Sequence, residues 1–533
     1  MTTLVGTWSL IRLILRRDRF RLTVWILVLG LVPVMTASAF IGLYPTEASR
    51  QALAATVVDS PAFNALLGPL YDISIGGLTA WRIGTLGSVF VALMAVLTMI
   101  RHTRDDEEAG RRELLGSTVV GHHAPLAAAI IVVVAIGLLV GLIITAGMVG
   151  LGEALTGSLA FGLGYALVAF AFAGVGAVSA QLTESASTGR GIAVGTVGFA
   201  FLLRMAGDAG ADSGLSWLTW VSPFGWFSKL RPFGGEEWWV LSLWLLFGLV
   251  TIGAAFAISA RRDVGAGAFP PRPGPAEAGA TLGNPFGLAW RLQRGAFIGW
   301  ALGIGAIGVV YGAAGDSIGD LLESNPQFAE IFEQLGGEQG ITDTFFSAAV
   351  GIIAIIVSAY AIRSVLRLRV EEEGQRAEHV LATATPRLRW AWSHLVFGVA
   401  GPVLILALAG ILVGVSYGLV IGDVWGPVPR IVGAAMTQLP AVWVLTGIAM
   451  ALYGLAPGFV AVSWGFLVAF LLLGQLGQIL QFPQWTLDLS PFSHIPMVPA
   501  EELEAMPLVI LVLIAGGLIG AGLVGFRRRD VDF

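Results

Sequence analysis

Charged side chains are scarce in this chain, and the densest cluster of them occurs twice. Glu107-Glu108-Ala-Gly110-Arg111-Arg-Glu113-Leu114 is matched by Glu372-Glu373-Gly-Gln375-Arg376-Ala-Glu378-His379, so both copies read Glu-Glu-x-x-Arg-x-Glu. Helix propensity is high through 105–115 and 370–381. A short helix carrying both signs of charge is chemistry for a polar, regulated protein contact rather than for bond breaking. The bland alternative is a solvated loop that merely fixes topology. Retention of one charge pattern after the copies otherwise diverged favours a docking surface.

Other reactive groups are absent or badly placed. There is no cysteine, hence no thiolate nucleophile, disulfide framework or cysteine-based metal site. The six histidines (102, 122, 123, 379, 394 and 494) show no ligand spacing such as His-Glu-x-x-His. His122–His123 is the only cluster, and it reads as an interfacial loop rather than a metal site. Ser222 and Ser490 lack a paired histidine in both copies and each precedes a proline, which argues against acyl or glycosyl transfer. A phosphate-binding loop needs a lysine, and the one lysine, Lys229, follows no Gly-rich stretch. No catalytic residue, metal or cofactor is therefore expected in this chain. Any ATP-driven function requires a separate nucleotide-binding partner.

The elements that must position these residues are set by composition. The chain is 56% hydrophobic and 12% charged, against about 45–50% and about 25% in soluble domains. So few charges could not cover three soluble domains. A bilayer core of about 30 Å needs about 20 apolar residues in a helix. Uncharged apolar stretches place spans at 22–42, 83–100, 125–150, 159–181, 191–207, 239–259, 296–313, 346–362, 392–421, 431–453, 456–477 and 506–526. The fold class expected is an all-α integral membrane protein with about twelve transmembrane helices. Ala37-Ser38-Ala39 resembles a signal-peptidase site. The preceding segment, with Leu10, Leu13 and Ile14 among Arg12, Arg16, Arg17 and Arg19, reads instead as an amphipathic helix before a retained span.

Orientation follows the Lys/Arg bias. With the N-terminus in the cytoplasm, the arm, 101–112, Arg190, 261–294, 363–389 and 527–529 all fall inside. Only Arg50, Arg82, Arg204, Lys229, Arg231 and Arg430 fall outside, beside an acidic loop at 314–345. Both termini are then cytoplasmic, in the cell membrane. Arg204, near the outer end of its span beside Asp208, could snorkel to the surface. No Asp, Glu, Lys or His sits near a span midpoint, which counts against a proton-coupled carrier.

The chain also repeats itself. At an offset of 265, Pro61-Ala-Phe63 falls on Pro326-Gln-Phe328 and Arg104–Glu113 falls on Arg369–Glu378. At 268, Trp217-Leu-Thr-Trp-Val-Ser222-Pro223-Phe224 falls on Trp485-Thr-Leu-Asp-Leu-Ser490-Pro491-Phe492. This predicts two parallel six-helix repeats, a first half at 1–262 and a second at 286–533, joined by a Pro-rich linker at 263–285. The third span of each half carries small residues one turn apart, Gly137, Gly141 and Thr145 in one and Gly410, Gly414, Gly418 and Gly422 in the other. These read as packing seams. The segments 208–238 and 478–505, with Trp217, Trp220, Trp226, Trp238, Trp239 and Trp485, read as interfacial or re-entrant helices.

The amphipathic N-terminal elbow, six spans, the charged loop between spans two and three and the interfacial segment between spans five and six resemble the ABC-2 type exporter permeases. The fused form, with Trp217-Leu-Thr-Trp-Val-Ser-Pro-Phe-Gly-Trp226, Leu230-Arg-Pro-Phe233 and Trp238-Trp239, is similar to the actinobacterial exporters of polyketide antibiotics. That resemblance implies a permease moving hydrophobic or amphipathic compounds (drug, polyketide antibiotic or lipid) outward. It implies two copies of a separate ATP-binding-cassette ATPase, which would hold the ATP and Mg. Glu107–Leu114 and Glu372–His379 would then lie in or beside coupling helices. Gln375 in place of Gly110 and His379 in place of Leu114 put equal engagement of the two loops in question. The competing readings are an ion-gradient-driven multidrug efflux carrier and a non-transporting membrane scaffold or sensor.

Overall fold

The computed structural model describes residues 3–58, 61–116, 119–209, 214–269, 274, 276–315, 337–476, 483–501 and 503–530. Most of the acidic loop expected at 314–345 lies outside the described residues. The chain folds as two compact units, Met1–Gly274 and Pro275–Phe533. Among the described residues every regular element is helical.

The first unit begins with α1 (Thr7–Arg17) and α2 (Arg19–Leu43), followed by the short α3 (Glu47–Val57) and α4 (Pro61–Leu67). Then come α5 (Ile75–Arg101), the short charged α6 (Arg104–Glu108) and α7 (Arg111–Gly116), and the long α8 (Ala124–Gly150) and α9 (Leu155–Leu182). The unit closes with α10 (Ala186–Ala209), the short α11 (Trp217–Val221) and α12 (Gly225–Leu230), and α13 (Leu241–Ser259). The second unit runs through α14 (Pro285–Ala314), α15 (Gly337–Glu373), α16 (Arg376–Leu381) and α17 (Arg387–Ile421). It continues with α18 (Pro427–Thr437), α19 (Leu439–Leu455), α20 (Val462–Leu476), α21 (Gln484–Leu487) and α22 (Ala505–Arg528).

Eleven stretches among the described residues are long and apolar enough to cross a membrane, α18 and α19 together counting as one. The protein is an all-α, multi-pass membrane protein. The twelfth apolar helix, α20, has 15 residues, which rise only about 22 Å. Several spans begin or end beyond the apolar stretches that marked them, two of them by eleven residues. α14 starts at Pro285 rather than near 296, because Asn284 caps it by accepting from the Phe286 amide and Pro285 suits the first helical position. α15 runs on to Glu373, since nothing in its charged end breaks a helix.

The glycine stripes sit where third spans meet fourth spans. A side chain at Gly137 would strike Ala169, and one at Gly141 the carbonyl of Gly162, so α8 and α9 touch through backbone. In the second unit Gly410 and Gly414 face the backbone of Val432 and Val428 on α18, and Gly418 faces Asp423 and Val424. Gly422 ends α17 in the left-handed conformation.

α1 is the expected amphipathic helix, but its buried face is Leu10, Ile11 and Ile14, while Leu13 is exposed. The turn before it bonds to the residues just ahead of the third span, with Gly121 N–H donating to Val5 O and His123 N–H to Thr3 O. The linker is not free along its whole length. Ala268 and Phe269 donate to the carbonyls of Gln181 and Leu182 at the end of α9, which docks its first residues onto the first unit.

Candidate functional site: the charged loop of each half

The loop after the second span is held by charge pairs that recur in both units. In the first, Arg262 forks onto Glu107, with Nη1 and Nη2 each 2.9 Å from a carboxylate oxygen. Gly265 N–H adds a 2.6 Å bond to the same carboxylate, and Arg104 and Arg112 lie 3.3 and 3.2 Å away. In the second, Arg529 forks onto Glu372 at 2.7 Å through both nitrogens. A second pair also repeats: Arg111 donates to Asp106 at 2.7 Å and Arg376 to Glu371 at 2.9 Å. Planar two-point pairing of this kind fixes geometry as well as charge.

The clamp turns two expected surface residues inward. Glu107 and Glu372 are buried, at 7% and 3% exposure. A charge this deep needs a partner, and each finds one just beyond the last span of its own unit. Glu108, Arg111 and Glu113 remain exposed on the first loop, and Glu373, Arg376 and Glu378 on the second. The side chain of Leu114 is outside the described residues. Gly110 and Gln375 share one left-handed backbone conformation, φ 69° and 56°. The second loop thus keeps the turn although Gln replaces the residue that adopts it freely.

The loops differ in what else holds them. In the first, Arg190 reaches Asp105 at 2.5 Å, Glu108 accepts the Ala186 amide of α10, and Arg17 of α1 reaches Asp106 at 3.0 Å. Asp18 completes this anchor with Arg101 at 2.6 Å and His102 at 3.1 Å. Burial opposes ionisation of Asp18, yet the hydrogen bond and charge of Arg101, with His102 and Arg17, hold its carboxyl below the usual range. In the second loop the exposed Glu373 pairs along its own helix, with Arg369. His122 and His123 also serve the loop end of the first unit: His122 Nε2 lies 2.9 Å from Ser259 O, and His123 meets Phe256 edge-on.

At the opposite end, the repeated Ser-Pro-Phe segments are turns. Ser222 Oγ donates to Ala200 O at 2.6 Å and accepts the Phe224 amide, while Ser490 Oγ accepts the Phe492 amide. Pro223 O accepts Trp244 Nε1, and Phe224 stacks on Phe172. Pro491 is likewise buried, beside Phe492. Trp217, Trp220, Trp238, Trp239 and Trp485 are exposed. Trp226 is the exception: it is buried against Trp244 and donates to Trp220 O.

Arg204 does not snorkel. It is fully buried, ion-paired with Asp208 at 2.6 Å, and donates to the carbonyls of Asn64, Ala65 and Leu66. Those carbonyls lie at the C-terminal end of α4, where a cation is stabilising. Neither this cap nor the Arg262 and Arg529 clamps could be found by periodicity, because each joins residues more than a hundred positions apart.

The family described as multidrug efflux system permease Rv1217c, C-terminal domain, matches residues 282–527. Over 528 residues the chain is 43% identical to the multidrug efflux system permease protein Rv1217c of Mycobacterium tuberculosis (strain ATCC 25618 / H37Rv), covering 99% of this chain and 95% of that protein.

Proposed function

Because the chain belongs to the family of the multidrug efflux system permease Rv1217c, we propose that it is the membrane subunit of an ATP-binding-cassette exporter. Its cargo is a hydrophobic or amphipathic compound, a drug, polyketide antibiotic or lipid, taken from the cytoplasm or inner leaflet. Two copies of a separate ATPase bind ATP and Mg and dock on the two charged loops. The loops and both termini face the cytoplasm, as the Lys/Arg bias requires.

The observation that carries this reading is the doubling of one docking-type loop within one chain, each copy tied to its own half by the same glutamate–arginine fork and braced within itself by the same second charge pair. A carrier driven by an ion gradient has no need of two such loops. It does need an ionisable group within the membrane, and the span midpoints hold no Asp, Glu, Lys or His. The surfaces left for the ATPase are Glu108, Arg111 and Glu113 on one loop and Glu373, Arg376 and Glu378 on the other. ATP binding draws the two ATPases together, and the loops pass that displacement to the halves.

Affinity purification of the tagged chain from its native membrane tests the proposal. The expected result is one ATPase at two copies per permease, lost when Glu373 and Glu378 are both reversed to lysine. A permease recovered in active form with no nucleotide-binding companion contradicts it.

A further inference from the structure

Two arginines that no motif marked stand in matching places, Arg262 three residues beyond α13 and Arg529 one residue beyond α22. Each forks onto the buried glutamate of its own loop, Glu107 or Glu372. Side-chain exposure is 5% and 2% in the first pair and 16% and 3% in the second. The glutamates are 265 positions apart and the arginines 267, so the pairing is duplicated as a unit while neighbouring contacts of the two loops have diverged. Gly265 N–H and the aromatic rings of Tyr453 and Phe526 back the two clamps by different means. What both halves keep at the buried glutamate is the fork, with an arginine three residues earlier, Arg104 or Arg369, standing farther off.

We propose that Arg262 and Arg529 are positioning residues that lock each charged loop to the last span of the same half. A displacement imposed on the loop is delivered directly to that span. The inference rests on the reading of the loops as docking points. A buried ion pair is weak evidence for stability, so its retention in both halves points to geometry rather than strength. Two-point guanidinium–carboxylate pairing resists rotation as well as separation. A loop tied only by its chain would bend about its ends instead of pulling on a helix.

The natural absence of cysteine makes the test clean. Inverted membrane vesicles carrying the full complex are followed for ATP-driven uptake of a lipophilic fluorescent dye that the unaltered chain moves. Arg529→Gln and Arg262→Gln should each slow uptake at least tenfold while ATPase subunits stay bound. Arg529→Lys, which keeps the charge and loses the fork, should slow it at least threefold, and serves if the glutamine variants fail to insert. The double variant Glu372→Cys, Arg529→Cys should be as slow as Arg529→Gln when its thiols are free. Joined by a short bismaleimide, it should return to within threefold of the unaltered chain. Normal uptake with Arg529→Lys, or uptake abolished by the cross-link, overturns the proposal. Failure of the exporter reading would look different: the unaltered chain itself would move dye without nucleotide.

Discussion

Gln375 is one of three described non-glycine residues, with Arg231 and Phe233, held in left-handed backbone. It holds φ 56° where the first loop has Gly110 at φ 69°, and a left-handed conformation costs a side-chain-bearing residue about 1–2 kcal/mol. Gln375→Gly should therefore raise the thermal midpoint of the purified protein, and Gly110→Ala should lower it. Asp18 supplies a pH test. Its carboxyl is held below its ordinary value of 3.8, so its stabilising contribution is complete above that value and is lost as pH falls through the folded one. Asp18→Asn should lower the thermal midpoint at pH 7, and the gap should close below about pH 4; a gap that persists in acid contradicts the assignment. At this scale the sequence was legible for turn formers and illegible for direction. The repeat revealed Glu107 and Glu372, but nothing local shows that they point inward, since their partners lie 155 and 157 positions away. Arg204 was misjudged for the same reason: its acceptors are 138–140 positions earlier.

Helices were far more legible, because spanning a bilayer demands a length of apolar residues that nothing else demands. Errors fell at ends, where capping and charged continuations decide: Asn284 and Pro285 start α14 early, and α15 carries its helix into the loop. The glycine seams were readable as seams but not as pairs, since spacing along one helix does not name the facing helix. Gly141 meets the Gly162 carbonyl, so Gly141→Val should force α8 from α9 and cost about 1–3 kcal/mol. Gly150→Val, in open space on the same helix, is the control and should be near neutral. Equal thermal midpoints for the two variants would refute the seam. Trp226 shows the limit of reading a belt from composition: five of the six tryptophans expected at the interface are exposed, and the sixth fills a gap beside Trp244.

On the scale of the whole molecule, contacts that recur in both units fall at positions the sequence repeat pairs. Both units carry the same glutamate–arginine fork, the same second pair at Asp106–Arg111 and Glu371–Arg376, and the same Ser-Pro-Phe turn. The units differ in how firmly each loop is held: Arg17, Arg190 and the Ala186 amide restrain the first, while the exposed acids of the second are freer to meet a partner. Reversal of Glu373 should therefore weaken ATPase binding more than reversal of Glu108, measured as the fraction of ATPase retained on the purified permease. The chain belongs to the family of the multidrug efflux system permease Rv1217c, and the energy source is the central claim proposed beyond that. The direct measurement is dye uptake into proteoliposomes holding the complex in the orientation that takes cargo inward, with proton and sodium gradients collapsed by ionophores. The account predicts uptake that starts on addition of ATP and Mg and is indifferent to the ionophores. Uptake that needs no nucleotide and stops when a gradient is collapsed would contradict it.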